Sequence, residues 1–293
     1  MVEVSVLGSG SSGNCALVRS GGTALLIDAG LSARQICRRL ELHGIDPDDL
    51  AGIVLTHEHG DHTQGIDVFC RKRRVPVYST RMTREIVGEG MRSDVDWRLF
   101  EGGQEFALGE FSLQSFPVPH DAVDPHGFRI SDGDCSLGVL SDVGHITNLV
   151  RDCLRGADIL FVEANYDETL LQNDTRRPWP TKQRILSRHG HLSNTQAAQL
   201  VAEVASEALR RVILGHLSED CNQPSLACGV VRDRLRAEGF HSVEVSCAAQ
   251  HEPTPLFRAE GRSVETGRRP PEHCDQRRAP AASLDSREQD VLF

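Results

Sequence analysis

Thr56-His57-Glu58-His59-Gly60-Asp61-His62 follows directly on the apolar run Ile53-Val54-Leu55. His57, His59, Asp61 and His62 are all metal-ligand types, and they crowd together at the end of what reads as a buried strand. Residues two apart on an extended segment point the same way, so His57 and His59 share a face. Imidazole and carboxylate in mixture suit zinc, manganese or iron. A backbone turn after Gly60 would let one local cluster serve two adjacent ions. The plain alternative is a polar loop that happens to hold three histidines, and the crowding behind an apolar strand argues against it.

Each metal needs further ligands from elsewhere in the chain. Three residues stand just past predicted strands: His120 after Phe116-Pro117-Val118-Pro119, Asp142 after 137–141, and His216 after Val212-Ile213-Leu214-Gly215. Strand ends are rigid supports of the kind metal geometry demands. The other candidates, His43, His126, His145, His189, His241, His251 and His273, carry no assignment.

Outward from this cluster the chain reads as short strands with helices at intervals. Val2–Leu7, Ala16–Val18 and Ala24–Asp28, punctuated by glycine-rich turns, have the spacing of a β-meander. Ser32 with Gln35 and Ser193 with Gln196 form capping boxes that open amphipathic helices. A helix is expected over 63–71, then a strand over 75–78. Further strands are expected at 111–116, 127–130, 137–140, 159–162, 211–214 and 243–246, and a helix over 225–238. Two packed sheets with helices outside is the natural architecture. The expected domain spans 1–258. From Ala259 on, Pro270-Pro271, paired arginines and acids replace apolar periodicity, so 259–293 is expected to be a disordered tail.

Bulk composition narrows the classes. The 293 residues carry a formal net charge of −10, and an acidic surface repels nucleic acid on average, so any phosphate binding must rest on a local basic patch. The N-terminus lacks the basic and apolar regions of a signal peptide, and no stretch approaches the ~18 consecutive apolar residues of a membrane helix. A cytoplasmic protein without a membrane partner is expected. The nine cysteines show no CxxC pair, which points to reduced thiols and not to a disulfide framework or a cysteine zinc site.

Gly8-Ser9-Gly10-Ser11-Ser12-Gly13 matches the dinucleotide fingerprint letter for letter. That fingerprint works only where a helix opens at the glycines. About seven residues separate Gly13 from the Gly21-Gly22 turn, which leaves no room for a helix. No nucleotide cofactor is expected. The segment reads instead as a tight, hydroxyl-rich loop near the active site, with Ser11 and Asn14 as candidate substrate contacts.

Glu163-Ala164-Asn165-Tyr166 follows a predicted strand, and His191-Leu192-Ser193-Asn194 precedes a helix. A helix start offers free N–H groups and positive dipole, so Ser193 and Asn194 are candidates for a phosphate site. His191 beside it is placed to protonate a leaving oxygen, and Glu163 to hold its tautomer. Ser193 as a mere cap, with His191 incidental, is the plain alternative. Between the two segments lie Arg176, Arg177, Trp179, Lys182, Arg184 and Arg188. Cations track phosphates and an indole stacks on a base, which makes Trp179, Lys182 and Arg184 candidate contacts. The second basic run, Arg71-Lys72-Arg73-Arg74, reads equally well as a solvated helix end.

The ordered series His57-x-His59-x-Asp61-His62, His120, Asp142 and His216, with Asp28 after Leu25-Leu26-Ile27, resembles the motif series of the metallo-β-lactamase superfamily. The resemblance implies an α+β fold, a four-layer αββα sandwich with the metals at one edge of the two sheets. It implies that His57, His59 and His120 hold one divalent ion and Asp61, His62 and His216 the other, with Asp142 bridging and Asp28 orienting the cluster. Two such ions clamp and activate a water, so the reaction class is hydrolysis. Asp61, His191 and Glu163 are then the candidate catalytic groups. The Glu-Ala and His-x-Ser segments resemble the phosphodiesterase branch that includes ribonuclease Z. Closer still, Leu7–Asn14, Asp28-Ala29-Gly30, Pro117–Ala122, Glu163–Tyr166, Lys182–Ile185, Gly190–Asn194, Gly215–Ser218 and Asn222-Gln223-Pro224 resemble the YycJ (WalJ) family. That likeness implies a 5′→3′ DNA exonuclease acting in DNA repair with zinc or manganese, DNA being favoured over RNA. A thioesterase or lactonase, or an RNA-processing ribonuclease of the same fold, are the alternatives.

Overall fold

The structure is a computed structural model and describes residues 1–259. In chain order the strands are β1 (Glu3–Gly8), β2 (Cys15–Ser20), β3 (Thr23–Ile27), β4 (Gly52–Val54), β5 (Val77–Ser79), β6 (Trp97–Leu99), β7 (Glu105–Leu108), β8 (Phe111–Pro117), β9 (His126–Ser131), β10 (Ser136–Leu140), β11 (Ile159–Glu163), β12 (Arg211–Gly215), β13 (Glu244–Cys247) and β14 (Phe257–Arg258). The helices are α1 (Ala33–Glu41), α2 (Gly60–Thr63), α3 (Ile66–Cys70), α4 (Arg81–Gly88), α5 (Asn148–Leu154), α6 (Glu168–Asn173), α7 (Trp179–Ile185), α8 (Asn194–Val204) and α9 (Pro224–Ala237). One sheet runs β14-β1-β2-β3-β4-β5-β6 and the other β13-β12-β11-β10-β9-β8-β7.

Side-chain alternation builds the layers. Leu25, Ile27 and Val54 of the first sheet face Leu137, Val139, Ile159, Phe161 and Ile213 of the second, forming the central core. The intervening Leu26 and Ile53 point outward and pack with Ile36 and Leu40 of α1 and Ile66 and Phe69 of α3. On the other side Leu160, Val162, Val212 and Leu214 pack with Val150, Leu200, Val201, Val231 and Leu235 of α5, α8 and α9. Strands buried on both faces need unbroken apolar runs, which is why β11 and β12 show no polar alternation. The result is the αββα sandwich.

Both capping boxes form, Ser32 with Gln35 and Ser193 with Gln196. The continuous helix expected over 63–71 does not. It is split into α2 and α3 at Gly65, whose N–H donates to Ala29 O at 2.9 Å. A Cβ there would lie 2.1 Å from Leu31 O, so the helix axis must step to let the loop past. The strand expected at 75–78 starts at Val77, after Pro76, which has no N–H for the ladder.

Ala259 still donates its N–H to Val2 O, beside the β1–β14 pairing. The rest of the expected tail lies outside the described residues. Among the described residues no helix is long and apolar enough to cross a membrane.

Candidate metal centre and active site

The parallel strands β4, β11 and β12, with β3 and β10, each antiparallel to one neighbour and parallel to the other, deliver most of the site from their C-terminal ends. Asp28 follows β3, the 56–62 turn follows β4, Asp142 lies just past β10, Glu163 ends β11 and His216 follows β12. Asp28, Asp142 and His216 share one unusual feature. They are the non-glycine residues of the described chain with positive φ, at 61°, 53° and 53°. The left-handed conformation costs an L-residue on the order of 1–3 kcal/mol and persists only where the surroundings over-determine it. Here each turn swings a side chain off the end of its strand into the common centre.

The three loops nearest that centre are locked to one another by backbone hydrogen bonds. Asn14 N–H donates to Asp61 O at 2.7 Å, Ala29 N–H to His62 O at 2.8 Å and Gly30 N–H to Asn14 O at 2.8 Å. A Cβ on Gly30 would sit 1.6 Å from Asp61 O and 2.7 Å from Asn14 N, both backbone atoms. Gly30→Ala should therefore open the 61–62 turn and destabilise the fold by about 1–3 kcal/mol, the usual cost of overpacking. A thermal melt combined with metal content checks this. An unchanged melting point with full metal uptake would remove the close approach from the explanation.

All seven expected ligands converge. His57, His59 and His120 present atoms within 4.8 Å of one another, as do Asp61, His62 and His216, and Asp142 groups with His57 and His62. His62 Nε2 lies 3.1 Å from Asp142 Oδ2, and His216 Nε2 lies 3.3 Å from Asp61 Oδ2 and 3.5 Å from Asp142 Oδ1. The two oxygens of Asp142 thus face different parts of the cluster. The donor set fits divalent cations on an observation independent of its residue types: His57 Nε2 and His120 Nε2 are buried and make no hydrogen bond. Buried polar atoms are rarely left so.

The opposite ring nitrogens are held. Asp28 Oδ2 pairs with His62 Nδ1 at 2.8 Å, and Asp28 also accepts from the Thr56 hydroxyl, which sits 2.9 Å from His57 Nδ1. A threonine at a strand end carries no functional signal in sequence, so only the structure gives Thr56 this role. His120 Nδ1 donates to Gly190 O at 3.1 Å. Such outer partners fix ring orientation and tautomer.

The charge balance is uneven. Burial, and then the neighbouring imidazole of His62, hold His57 well below its ordinary value; burial likewise lowers His120. At His216 burial also acts downward, but Asp142, Asp61 and Glu163 outweigh it and push the ring up to about 10. Asp142 is the converse. Burial would raise it, and His216 and His62 hold it well below the usual carboxylate range. The carboxylates gathered here thus make the centre favour positive charge, which bound cations would supply.

Glu163 is fully buried behind the cluster. Its Oε1 lies 2.6 Å from His191 Nδ1 and 3.2 Å from His216 Nδ1, and its Oε2 accepts from Val143 N at 2.9 Å. The carboxylate outweighs the effect of burial and raises His191. With Nδ1 so engaged, Nε2 is the ring nitrogen left to act, on a side chain 18% exposed.

The remaining expected contacts divide. Ser11 is exposed. Asn14 is buried, and its amide donates to Gly10 O at 3.1 Å and Asp61 Oδ2 at 3.2 Å, bracing the ligand turn. Trp179 opens α7 with 63% of its surface exposed. Arg184 is paired with Asp121, next to His120. Three residues turn inward instead. Lys182 is buried and donates from Nζ to Gln172 O at 2.9 Å. Ser193 caps α8, and the fully buried Asn194 exchanges reciprocal amide bonds of 2.9 and 2.8 Å with Asn222. Their polar atoms serve the framework, and the helix start offers less to a phosphate than its sequence suggested. Arg176 and Arg177 are likewise paired, with Asp174 and Asp220. In the other basic run Arg71 pairs with Asp67 at 2.7 Å and Arg73 with Asp48 at 3.0 Å.

The chain matches known proteins along most of its length. Residues 23–217 match the β-lactamase superfamily domain. The exodeoxyribonuclease WalJ of Streptococcus pneumoniae is 35% identical over 77% of this chain and 85% of its own. The exodeoxyribonuclease YycJ of Bacillus anthracis is 34% identical over 82% of this chain and 91% of its own. Among solved structures, the metallo-β-lactamase-fold protein YhfI of Bacillus subtilis superposes with a TM-score of 0.63 at 18% identity, over 87% of this chain and all of its own. At that identity the likeness speaks to the fold.

Proposed function

Because this chain belongs to the metallo-β-lactamase superfamily, in the family of the WalJ and YycJ exodeoxyribonucleases, we propose that it is a metal-dependent phosphodiesterase on nucleic acid, a 5′→3′ DNA exonuclease. The observation that carries the reading is the Glu163–His191 pair beside the cluster, with Nδ1 and Oε1 2.6 Å apart. A hydrolase of activated esters has no need for a proton donor there, whereas a nucleotide 3′-oxygen is a poor leaving group until protonated.

His57, His59 and His120 would hold one divalent ion, Asp61, His62 and His216 a second, and Asp142 would face both. Zinc and manganese both suit such a nitrogen and oxygen set. Two ions held there would supply an acidified water and charge stabilisation on the attacked phosphorus. Asp28 and Thr56 hold the Nδ1 atoms of His62 and His57, leaving each Nε2 for the cluster. Asp61, braced by Asn14, stays an anionic acceptor aimed at the centre. Glu163 keeps the Nδ1 proton of His191 in place, so that Nε2 delivers a proton to the departing oxygen. Arg184, paired with Asp121 beside His120, would exchange that partner for a phosphate, and the exposed Trp179 offers a face for a base.

The test is metal analysis of the purified chain paired with digestion of end-labelled single- and double-stranded DNA and RNA in zinc or manganese. Stepwise shortening of DNA from its 5′ end, stopped by a chelator, is the expected result. Thioester turnover with intact DNA would overturn the reading, and preferential loss of RNA would redirect it to ribonuclease chemistry. Trp179→Ala should leave the melting point unchanged, since the indole is exposed. It should weaken single-strand binding by the ~1–3 kcal/mol of one stacked base, roughly 5- to 150-fold in Kd by titration.

A further inference from the structure

Spacing along the chain gives no hint that any two cysteines meet, yet two do. Cys228 lies in the second turn of α9 and Cys247 ends β13, the edge strand of the second sheet. Their Sγ atoms are 3.2 Å apart across 19 residues of chain. Both residues are half-buried, so a small oxidant can reach them. A disulfide bond is about 2.05 Å long, so closure asks for roughly 1 Å of movement from side chains on packed elements.

Most other thiols of the described chain differ. Cys15 and Cys70 are buried, and burial keeps their thiols protonated and unreactive, Cys70 being pushed up to about 11. Cys221 is buried and also raised, and burial raises the half-buried Cys153. Cys228 goes the other way. The hydrogen bond it shares with Cys247, helped by Arg232 one turn along α9, brings it down to about 7. Cys247, the other member of the pair, is correspondingly raised.

We propose that Cys228 and Cys247 are a redox-active dithiol that peroxides oxidise to an intramolecular disulfide, stapling α9 to the edge strand β13. The Cys228 thiolate attacks one peroxide oxygen, forming a sulfenic acid and releasing hydroxide, which takes up the proton lost from the thiol and leaves as water. The Cys247 sulfur then attacks Cys228 Sγ, forming the S–S bond; its thiol proton and the sulfenic hydroxyl depart as a second water. Two thiols are oxidised by two electrons and one hydrogen peroxide is reduced to two waters. Nothing in this depends on the nuclease reading.

The full chain, reduced and freed of reductant, is treated with graded hydrogen peroxide, alkylated with N-ethylmaleimide and mapped by mass spectrometry. The expected product is a joined pair of peptides carrying Cys228 and Cys247, two hydrogens lighter than their sum. It should form at least ten times faster than oxidation of any other thiol and be reversed by dithiothreitol. In Cys247→Ser the joined pair should vanish, and a sulfenic acid should accumulate at Cys228, trapped by dimedone. Full alkylation of both residues while other cysteines oxidise would overturn the proposal. So would sulfinic acid at Cys228 with no joined peptide, or joining seen only in denaturant.

Discussion

His59→Ala is expected to lower metal-dependent DNA shortening by at least ~100-fold, since loss of an outer-shell partner alone costs a metal site 10–100-fold. The choice of residue matters. His57 is buried, so truncating it would leave a cavity and confuse metal loss with unfolding. His59 is only half-buried, and at the N-cap of α2 its side chain makes no capping bond. Its removal takes away one donor of the His57–His59–His120 group and little else. The melting point should shift by no more than a typical surface substitution, while elemental analysis shows less metal per chain. Full activity in this variant would remove the cluster from the chemistry, and the hydrolytic reading with it.

His191→Ala should separate catalysis from metal holding. The ring is packed between those of His120 and His216, with centroids 5.3 and 5.1 Å away, yet it keeps 18% of its side chain exposed. General acid catalysis contributes about 10²–10⁴-fold, so kcat on DNA should fall by that range with metal content unchanged. A phosphodiester whose leaving group needs no proton, such as a nitrophenyl ester, should be cleaved nearly as fast as by the wild type. Equal losses on both substrates would instead make His191 a structural or ligand residue. Glu163→Gln should show the same leaving-group dependence in milder form, because the amide oxygen can still accept from His191 but without its charge.

The apolar runs and the order of the histidine and carboxylate series determined the layers and the centre. The central strands, β4, β10 and β11 among them, are buried on both faces, and each ligand follows a strand, and both facts are local patterns written along the chain. The capping boxes were legible for the same reason. The step between α2 and α3 was not, since Gly65 makes way for a loop from 29–31 that no local window contains.

Only the tertiary structure decided which polar groups are free. Arg176 and Arg177 look like phosphate ligands in a basic run, but Asp220 reaches them from more than forty residues away, and Lys182 and Asn194 turn inward to Gln172 and Asn222. The left-handed turns at Asp28, Asp142 and His216 are residue choices that local propensity disfavours, imposed by contacts across the site. The meeting of Cys228 with Cys247 depends on how α9 lies along β13. Residue type and spacing specify what chemistry a chain carries, whereas partnership between distant side chains depends on burial and packing that exist only once the two sheets have closed.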